Sequence, residues 1–332
     1  MNNSKVPVKV VLTDSIHPAA HRILEQETEV ITLDPALPAD QAEHKLRQLI
    51  TDAQGLIVRR KLPDGIFDSG NTLRGVVRHG VGLDFIPVDS ATRHGIPVAN
   101  TPDVNANSVA EYAITAVLES ARRLNHFDHM VRSGNWPARK TAPSLTFEVK
   151  GRTLGIIGFG AIGQRVAEIA AYGLGMNIVV HTRSASRVPE KWPALKVEAL
   201  FESSDFVVVA CPLNDQTRGL INERTLRHAK PGLMLINVAR GAVINEPELL
   251  DALENKIVAG AVLDVFENQP LTMHHKLLTH PNVILTPHVA GMTQDSERAM
   301  SMLAVQTQLA LIRGERPVNI VNPDFKTMRK SE

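Results

Sequence analysis

Short apolar runs alternate along this chain with stretches whose apolar positions recur every three or four residues, and that alternation predicts an α/β protein. The first runs cover residues 8–13, 28–33, 55–58, 75–77 and 96–99, enough for one parallel α/β domain. Residues 107–124 then read as one long helix with Val109, Ala113, Ile114, Val117 and Leu118 on its apolar face, and 134–150 read as loop. A second series of runs occupies residues 153–157, 177–181, 205–210, 233–238, 258–264 and 283–286. Six strands with helices between them match a doubly wound nucleotide domain. Residues 294–313 are predicted helical again, and 314–332 read as a return strand followed by a polar tail.

The second series opens on a chemical signal. Leu154, Ile156 and Ile157 run into Gly158, Gly160 and Gly163, after which Ile162, Val166, Ile169 and Ala170 repeat at helical spacing. That strand, turn and helix is the context a phosphate-binding glycine motif requires. Gly158 suits the tight turn, Gly160 the approach of backbone to a pyrophosphate, and Gly163 close packing of a helix whose first N–H groups face the anion. Because this turn lies mid-chain, with an α/β unit before it and a helix after the last strand, the second domain is expected to be inserted into the first.

Composition narrows the classes of partner. Lys and Arg number 36 against 35 Asp and Glu, a formal charge of +1, with no long basic or acidic run to recruit nucleic acid or a membrane surface. Small-molecule chemistry is therefore expected. The lone cysteine, Cys211, cannot form an intramolecular disulfide; it follows an apolar strand and reads as a small buried apolar group. Met1-Asn-Asn-Ser-Lys leads into a strand instead of a signal-peptide apolar region, so a cytoplasmic setting is expected. No apolar run is long enough to span a bilayer, and no cluster has metal-ligand spacing.

Seven strings in order, together with the inserted arrangement, resemble the D-2-hydroxyacid dehydrogenase family, which includes glycerate, phosphoglycerate and hydroxypyruvate enzymes and formate dehydrogenase. They are Arg78-His-Gly-Val-Gly-Leu-Asp84, Gly95-Ile-Pro-Val-Ala-Asn100, Ser108-Val-Ala-Glu111, the glycine turn, Asn237-Val-Ala-Arg240-Gly241, Leu263-Asp-Val-Phe-Glu267 and Thr286-Pro-His288. The resemblance spans nearly the whole chain. It implies two doubly wound parallel-sheet domains. Residues 1–106 with 293–332 would form a flavodoxin-like substrate-binding domain, and residues 107–292 an inserted Rossmann domain for NAD(P).

Within that frame the chemistry has candidates. Arg240 follows the strand at 233–238, and its planar fork can pair with a substrate carboxylate and polarise a ketone. Among 13 histidines, His288 ends the last strand run and is expected to be the acid/base, as its counterpart is in the family; His79, beside the substrate loop, stays undecided. The resemblance also implies that the N–H groups of Val81 and Gly82 hold the substrate carboxylate, that Arg59 aligns with a residue reaching a distal phosphate in phosphoglycerate enzymes, and that Asn105 lines the mouth. Asp264 would lie near the nicotinamide carboxamide, and Val238, Gly291, Ala161 and Ile162 would join the glycines in contacting the cofactor.

Two positions set the expected specificity. Hydroxyacid enzymes of the family usually carry Glu five residues after the Asp of Leu-Asp-Val-Phe, and here that position is Gln269, as in formate dehydrogenases. An amide can orient His288 without supplying charge, so reduction should weaken at lower pH than in Glu-bearing relatives. At the end of the second strand of the cofactor domain, the residue that would be acidic for NAD is Thr182 by resemblance, followed by Arg183 and, nearby, Arg187. Arginines in place of an acid favour the 2′-phosphate, so NADP is expected as the preferred cofactor, with NAD still usable. The expected activity is an NADP-dependent reductase of short 2-oxo acids such as glyoxylate or hydroxypyruvate. The alternatives are a dinucleotide-sensing, co-repressor-like binding protein without turnover and a formate-type dehydrogenase. Helix 107–124 and the Trp136 loop resemble family dimer elements, so a homodimer is expected.

Overall fold

The computed structural model describes residues 8–68 and 72–326. Two compact units divide the chain, one made of residues 1–105 and 292–332 and the other of residues 106–291.

In the first unit, strands β1 (Lys9–Leu12), β2 (Glu29–Thr32), β3 (Gly55–Val58), β4 (Gly75–Arg78) and β5 (Val98–Ala99) pair in the order β2-β1-β3-β4-β5, all parallel. That is the flavodoxin-like winding. Successive side chains along a strand point to opposite faces. Val10, Leu12, Ile57 and Val77 accordingly pack under Ala20, Leu24, Ala304 and Val305 of the helices Pro18–Glu25 and Gln294–Ile312. Val11, Leu56, Val58 and Val76 pack on the other face with Leu46, Ile50 and Ala91. Both faces of β1, β3 and β4 are covered, which is why β3 and the buried parts of β1 and β4 read as apolar runs, while the edge strand β2 keeps Glu29 and Thr32 exposed.

In the second unit, β6 (Thr153–Ile157), β7 (Asn177–His181), β8 (Phe206–Val209), β9 (Met234–Asn237), β10 (Gly260–Leu263) and β11 (Val283–Leu285) form a parallel sheet in the order β11-β10-β9-β8-β6-β7. Beyond β7 a further parallel partner is reduced to one bridge, Val180 to Ala194, which restores the doubly wound Rossmann sequence with its reversal at β6 and β8. One face is covered by helices that include Ala106–Arg122 and Ala161–Glu168; Leu200, Leu249 and Leu253 cover the other.

Three sequence expectations change. The helix expected over 107–124 is Ala106–Arg122, and after Arg123, at φ 52°, a second helix Leu124–Arg132 begins. The Glu119 carboxylate causes the break by accepting the N–H groups of Leu124 and Asn125, both at 3.1 Å, and so caps the new helix. The loop expected over 134–150 contains a 3-10 turn, Trp136–Thr141, and a short helix, Ala142–Leu145. The return strand is only an antiparallel bridge of Ile320 to Ala99, between Pro317 and Pro323, which have no N–H to extend a ladder. Residues 327–332 of the expected tail lie outside the described residues.

Candidate active site

Because all six strands of the second unit run parallel, their carboxyl ends lie along one edge of the sheet, where ligands of such folds bind. The segments leaving that edge carry most of the expected residues: the glycine turn after β6, Thr182 and Arg183 after β7, Val238 and Arg240 after β9, Asp264 after β10 and His288 after β11.

The glycine turn fits a dinucleotide. Gly158 stands at φ 96°, and a Cβ there would come within 2.6 Å of the Cys211 backbone nitrogen. A Cβ on Gly163 would meet the Gly158 carbonyl oxygen at 2.1 Å. Those two glycines are required by the protein itself. Gly160 differs, since a Cβ there would meet nothing within 4 Å, so that its absence leaves open space at the start of the helix Ala161–Glu168. The first turn of that helix, with Ala161, Ile162 and Gly163, holds no acidic residue to repel an anion.

After β7 the Thr182 hydroxyl accepts the Ser184 N–H at 3.3 Å. Arg183 and Arg187 are exposed, and neither makes an ion pair or side-chain hydrogen bond among the described residues. Two uncompensated guanidinium groups there suit a phosphate.

After β9 the Asn237 side chain fixes the turn, accepting the Ala239 N–H at 3.0 Å and donating to the Arg240 carbonyl at 3.1 Å. Arg240 continues in extended conformation, and its Nη1 donates to the Ala239 carbonyl at 2.8 Å. Val238 is buried, with its N–H bonded to the Val209 carbonyl. Gly291 is the last residue of this unit.

His288 is held in a conformation that L-residues rarely adopt, φ 58°, at a cost of about 1 kcal/mol or more. Its Nδ1 lies 3.2 Å from Gln269 Oε1, while Gln269 Nε2 donates to the Phe266 carbonyl at 3.4 Å. With the amide oxygen as acceptor, Nδ1 carries the proton and Nε2 the lone pair of the neutral ring. Asp264 is buried and directed inward. Its Oδ1 accepts from Thr286 Oγ1 at 2.6 Å and from the Val289 N–H at 2.8 Å, and its Oδ2 from the Ala290 N–H at 2.9 Å. Its backbone carbonyl accepts the His288 N–H at 2.9 Å.

Sequence reasoning missed Tyr112, whose hydroxyl lies 2.5 Å from Thr286 Oγ1. On an amphipathic helix it reads as a packing residue. The signal that could have marked it is a phenol on the buried side, which must find a hydrogen-bond partner. Cys211 is buried, and burial pushes its thiol up to about 11, so it is no nucleophile at neutral pH. Among the described residues no group of three or more His, Cys, Asp or Glu side chains is placed to hold a metal, and no helix is long and apolar enough to cross a membrane.

The remaining candidates belong to the first unit. The Gly80 N–H donates to Thr101 Oγ1 at 2.8 Å, and the carbonyls of Val81 and Gly82 accept from Asn100 and Arg78. No hydrogen bond engages the N–H of Val81 or Gly82 among the described residues, which leaves two adjacent donors for a carboxylate. Arg59 is committed to Glu297, 2.6 Å away, and to the Ser15 carbonyl. Asn105 has a buried Oδ1 without a hydrogen-bond partner. His79 is buried, with Nε2 2.8 Å from Ser301 Oγ; burial, then Arg59 and Arg78, lower its pKa to about 3, so the ring is neutral and structural.

Residues 114–290 match the family model described as D-isomer specific 2-hydroxyacid dehydrogenase, NAD binding domain. Over 331 residues the chain is 38% identical to a glyoxylate reductase of Thermococcus kodakarensis, covering 97% of this chain and 98% of that one. A glyoxylate reductase of Aeropyrum pernix is 35% identical with the same coverage. Among solved structures, an NADPH-dependent glyoxylate/hydroxypyruvate reductase from Sinorhizobium meliloti, in complex with NADP and malonate, superposes with a TM-score of 0.82 at 32% identity, over 96% of this chain and 98% of that one.

Proposed function

The chain belongs to the D-isomer specific 2-hydroxyacid dehydrogenases, NAD(P)-dependent oxidoreductases, and we propose that within this family it reduces short 2-oxo acids of the glyoxylate and hydroxypyruvate type with NADPH. The observation that carries the reading is the imidazole of His288, oriented by Gln269 at the sheet edge that also bears Arg240 and the glycine turn. When bound, the dinucleotide would supply the hydride for reduction and accept it in the reverse direction. Gly158, Gly160, Ala161, Ile162 and Gly163 would hold its pyrophosphate, Thr182, Arg183 and Arg187 its ribose phosphate, and Val238 and Gly291 would contribute to the same site. Arg240 pairs with the substrate carboxylate and polarises the carbonyl, the N–H groups of Val81 and Gly82 hold the carboxylate, and Asn105 lines the approach. Protonated His288 gives its Nε2 proton to the carbonyl oxygen as C2 is reduced, and takes it back in oxidation.

Arg59, held by Glu297, is not assigned a distal phosphate, which agrees with a short unphosphorylated substrate. The dinucleotide preference rests on the uncompensated Arg183 and Arg187. The exposed apolar side chains of Leu124, Val131 and Trp136 support a homodimer through this segment, and a monomeric mass in solution would reject it. The hydrogen bond from His288 to an amide keeps a formate-type activity as the second reading. One assay decides among these: NADPH and NADH oxidation with glyoxylate, hydroxypyruvate and larger 2-oxo acids, and NAD(P) reduction with formate. Turnover of glyoxylate or hydroxypyruvate with NADPH is expected. Turnover of formate alone selects the second reading, and cofactor binding without turnover selects a sensor.

A further inference from the structure

We propose that Asp264, Thr286 and Tyr112 form a positioning chain that holds His288 in its strained conformation, so that a hydroxyl on the helix Ala106–Arg122 controls the rate of the proton-transfer step. The inference rests on the reading of His288 as the acid/base.

The direction of each hydrogen bond is fixed by chemistry. An ionised Asp264 carboxylate only accepts, so Thr286 must give it its single hydroxyl proton across 2.6 Å. The Thr286 oxygen is then left as an acceptor, and the Tyr112 hydroxyl must donate to it. Burial first, and the negative charge of Asp264 further, raise the Tyr112 pKa, against the opposing effect of the Thr286 hydrogen bond, which keeps the phenol protonated for that purpose. The proton order is Tyr112 to Thr286 to Asp264.

The far end of this chain grips the His288 loop on both sides. Asp264 takes the N–H groups of Val289 and Ala290 on its carboxylate and that of His288 on its own carbonyl, while Thr286 is tied by its N–H to the Leu263 carbonyl. Residues 286, 288, 289 and 290 are thus all fixed to 263 and 264 at the end of β10. A left-handed histidine persists only where its surroundings over-determine it, and this set does so. Gln269 orients the ring; the Asp264 chain fixes the backbone that carries it. Asp264 is spent inward on protein groups, which makes it a positioning residue whatever the cofactor also touches.

The test is a double-mutant cycle read with glyoxylate and NADPH. Thr286→Val keeps the shape and removes both hydroxyl hydrogen bonds; it should lower kcat about tenfold to a hundredfold, as small misplacements of a reacting group do, with NADPH Kd held within about twofold. Thr286→Ser should restore the rate. Tyr112→Phe, which removes one oxygen, should lower kcat about threefold to tenfold and serves if Thr286→Val does not fold. In a His288→Asn background neither substitution should change the residual rate, because there is no ring left to position. A fall by the same factor in both backgrounds, or a loss of NADPH affinity that accounts for the whole effect, would overturn the proposal, as would an unchanged kcat. Full activity of His288→Asn alone would instead overturn the role of His288.

Discussion

Gln269 offers the sharpest handle on the chemistry, because Gln269→Glu adds one charge at an atom already in contact with His288. The amide oxygen lies 3.2 Å from Nδ1, and both side chains reach solvent. At that separation a unit pair attracts by about 1.3 kcal/mol at the dielectric of water and about 2.6 kcal/mol at half of it. Since about 1.4 kcal/mol corresponds to one pH unit, the protonated ring should persist about one to two pH units higher in the variant. The lower figure is favoured, because the carboxylate loses the donor that Gln269 presents to the Phe266 carbonyl and faces that oxygen instead. The sign follows from the direction of reaction. Reduction requires the imidazolium, so its kcat/KM is flat at low pH and falls above the His288 pKa; raising that pKa moves the fall upward. Oxidation requires the neutral ring, so its rising limb moves upward too and turnover of the hydroxy acid at neutral pH declines. The assay is kcat/KM for glyoxylate with NADPH, and for the reverse reaction, across roughly pH 5 to 9 in parent and variant. Superimposable profiles, or limbs that move in opposite directions, would refute the pairing of Gln269 with the acid/base.

Arg183→Ala and Arg187→Ala should each lower kcat/KM with NADPH about tenfold and change NADH by less than about threefold; equal losses with both cofactors would show that these side chains do not read the 2′-phosphate. In the glycine turn, Gly160→Ala fills open space and should fold normally while raising KM for NADPH about tenfold. Gly163→Ala drives a Cβ to 2.1 Å from a carbonyl oxygen and should lower the melting temperature before any kinetic question arises, so the reverse ranking would reject the assignment of the two positions. His79 has a pKa lowered from 6.5 to about 3, so between those values the unfolded chain binds a proton that the native state refuses. Its contribution is therefore complete above pH 6.5 and is lost on acidification, by up to about 1.4 kcal/mol per pH unit. Urea unfolding near pH 7 and at roughly pH 4.5 should show a shallower loss for His79→Gln than for the parent, and parallel losses would exclude a buried neutral ring.

What the sequence makes legible here follows from which signals are local. A strand covered by helices on both faces is apolar through its buried positions, so β3, β6 and β7, with polar residues only at the ends of the last two, appear in the chain with the bounds they have in the structure. A glycine turn is equally local, and the order of strings around it carries the sites that leave the sheet edge. The end of the first helix was legible to within two residues, but the second helix, Leu124–Arg132, was not, because its start depends on the Glu119 side chain reaching forward to cap it. Nor was Tyr112, whose partner lies 174 residues away and whose phenol, read alone, is one more side chain on the buried face of a helix. The deepest gap is at His288. Its candidacy as the acid/base follows from residue type and position, but nothing in Thr-Pro-His-Val announces a left-handed backbone, which local preference opposes. The conformation exists because Asp264 collects hydrogen bonds from four residues of the loop, and those bonds become visible only once β10 and β11 lie side by side. Local rules fail where tertiary bonds outweigh them, and such places are expected at functional sites. The strain at His288 is thus independent support for its role, drawn from backbone geometry and owing nothing to the resemblance that first singled it out.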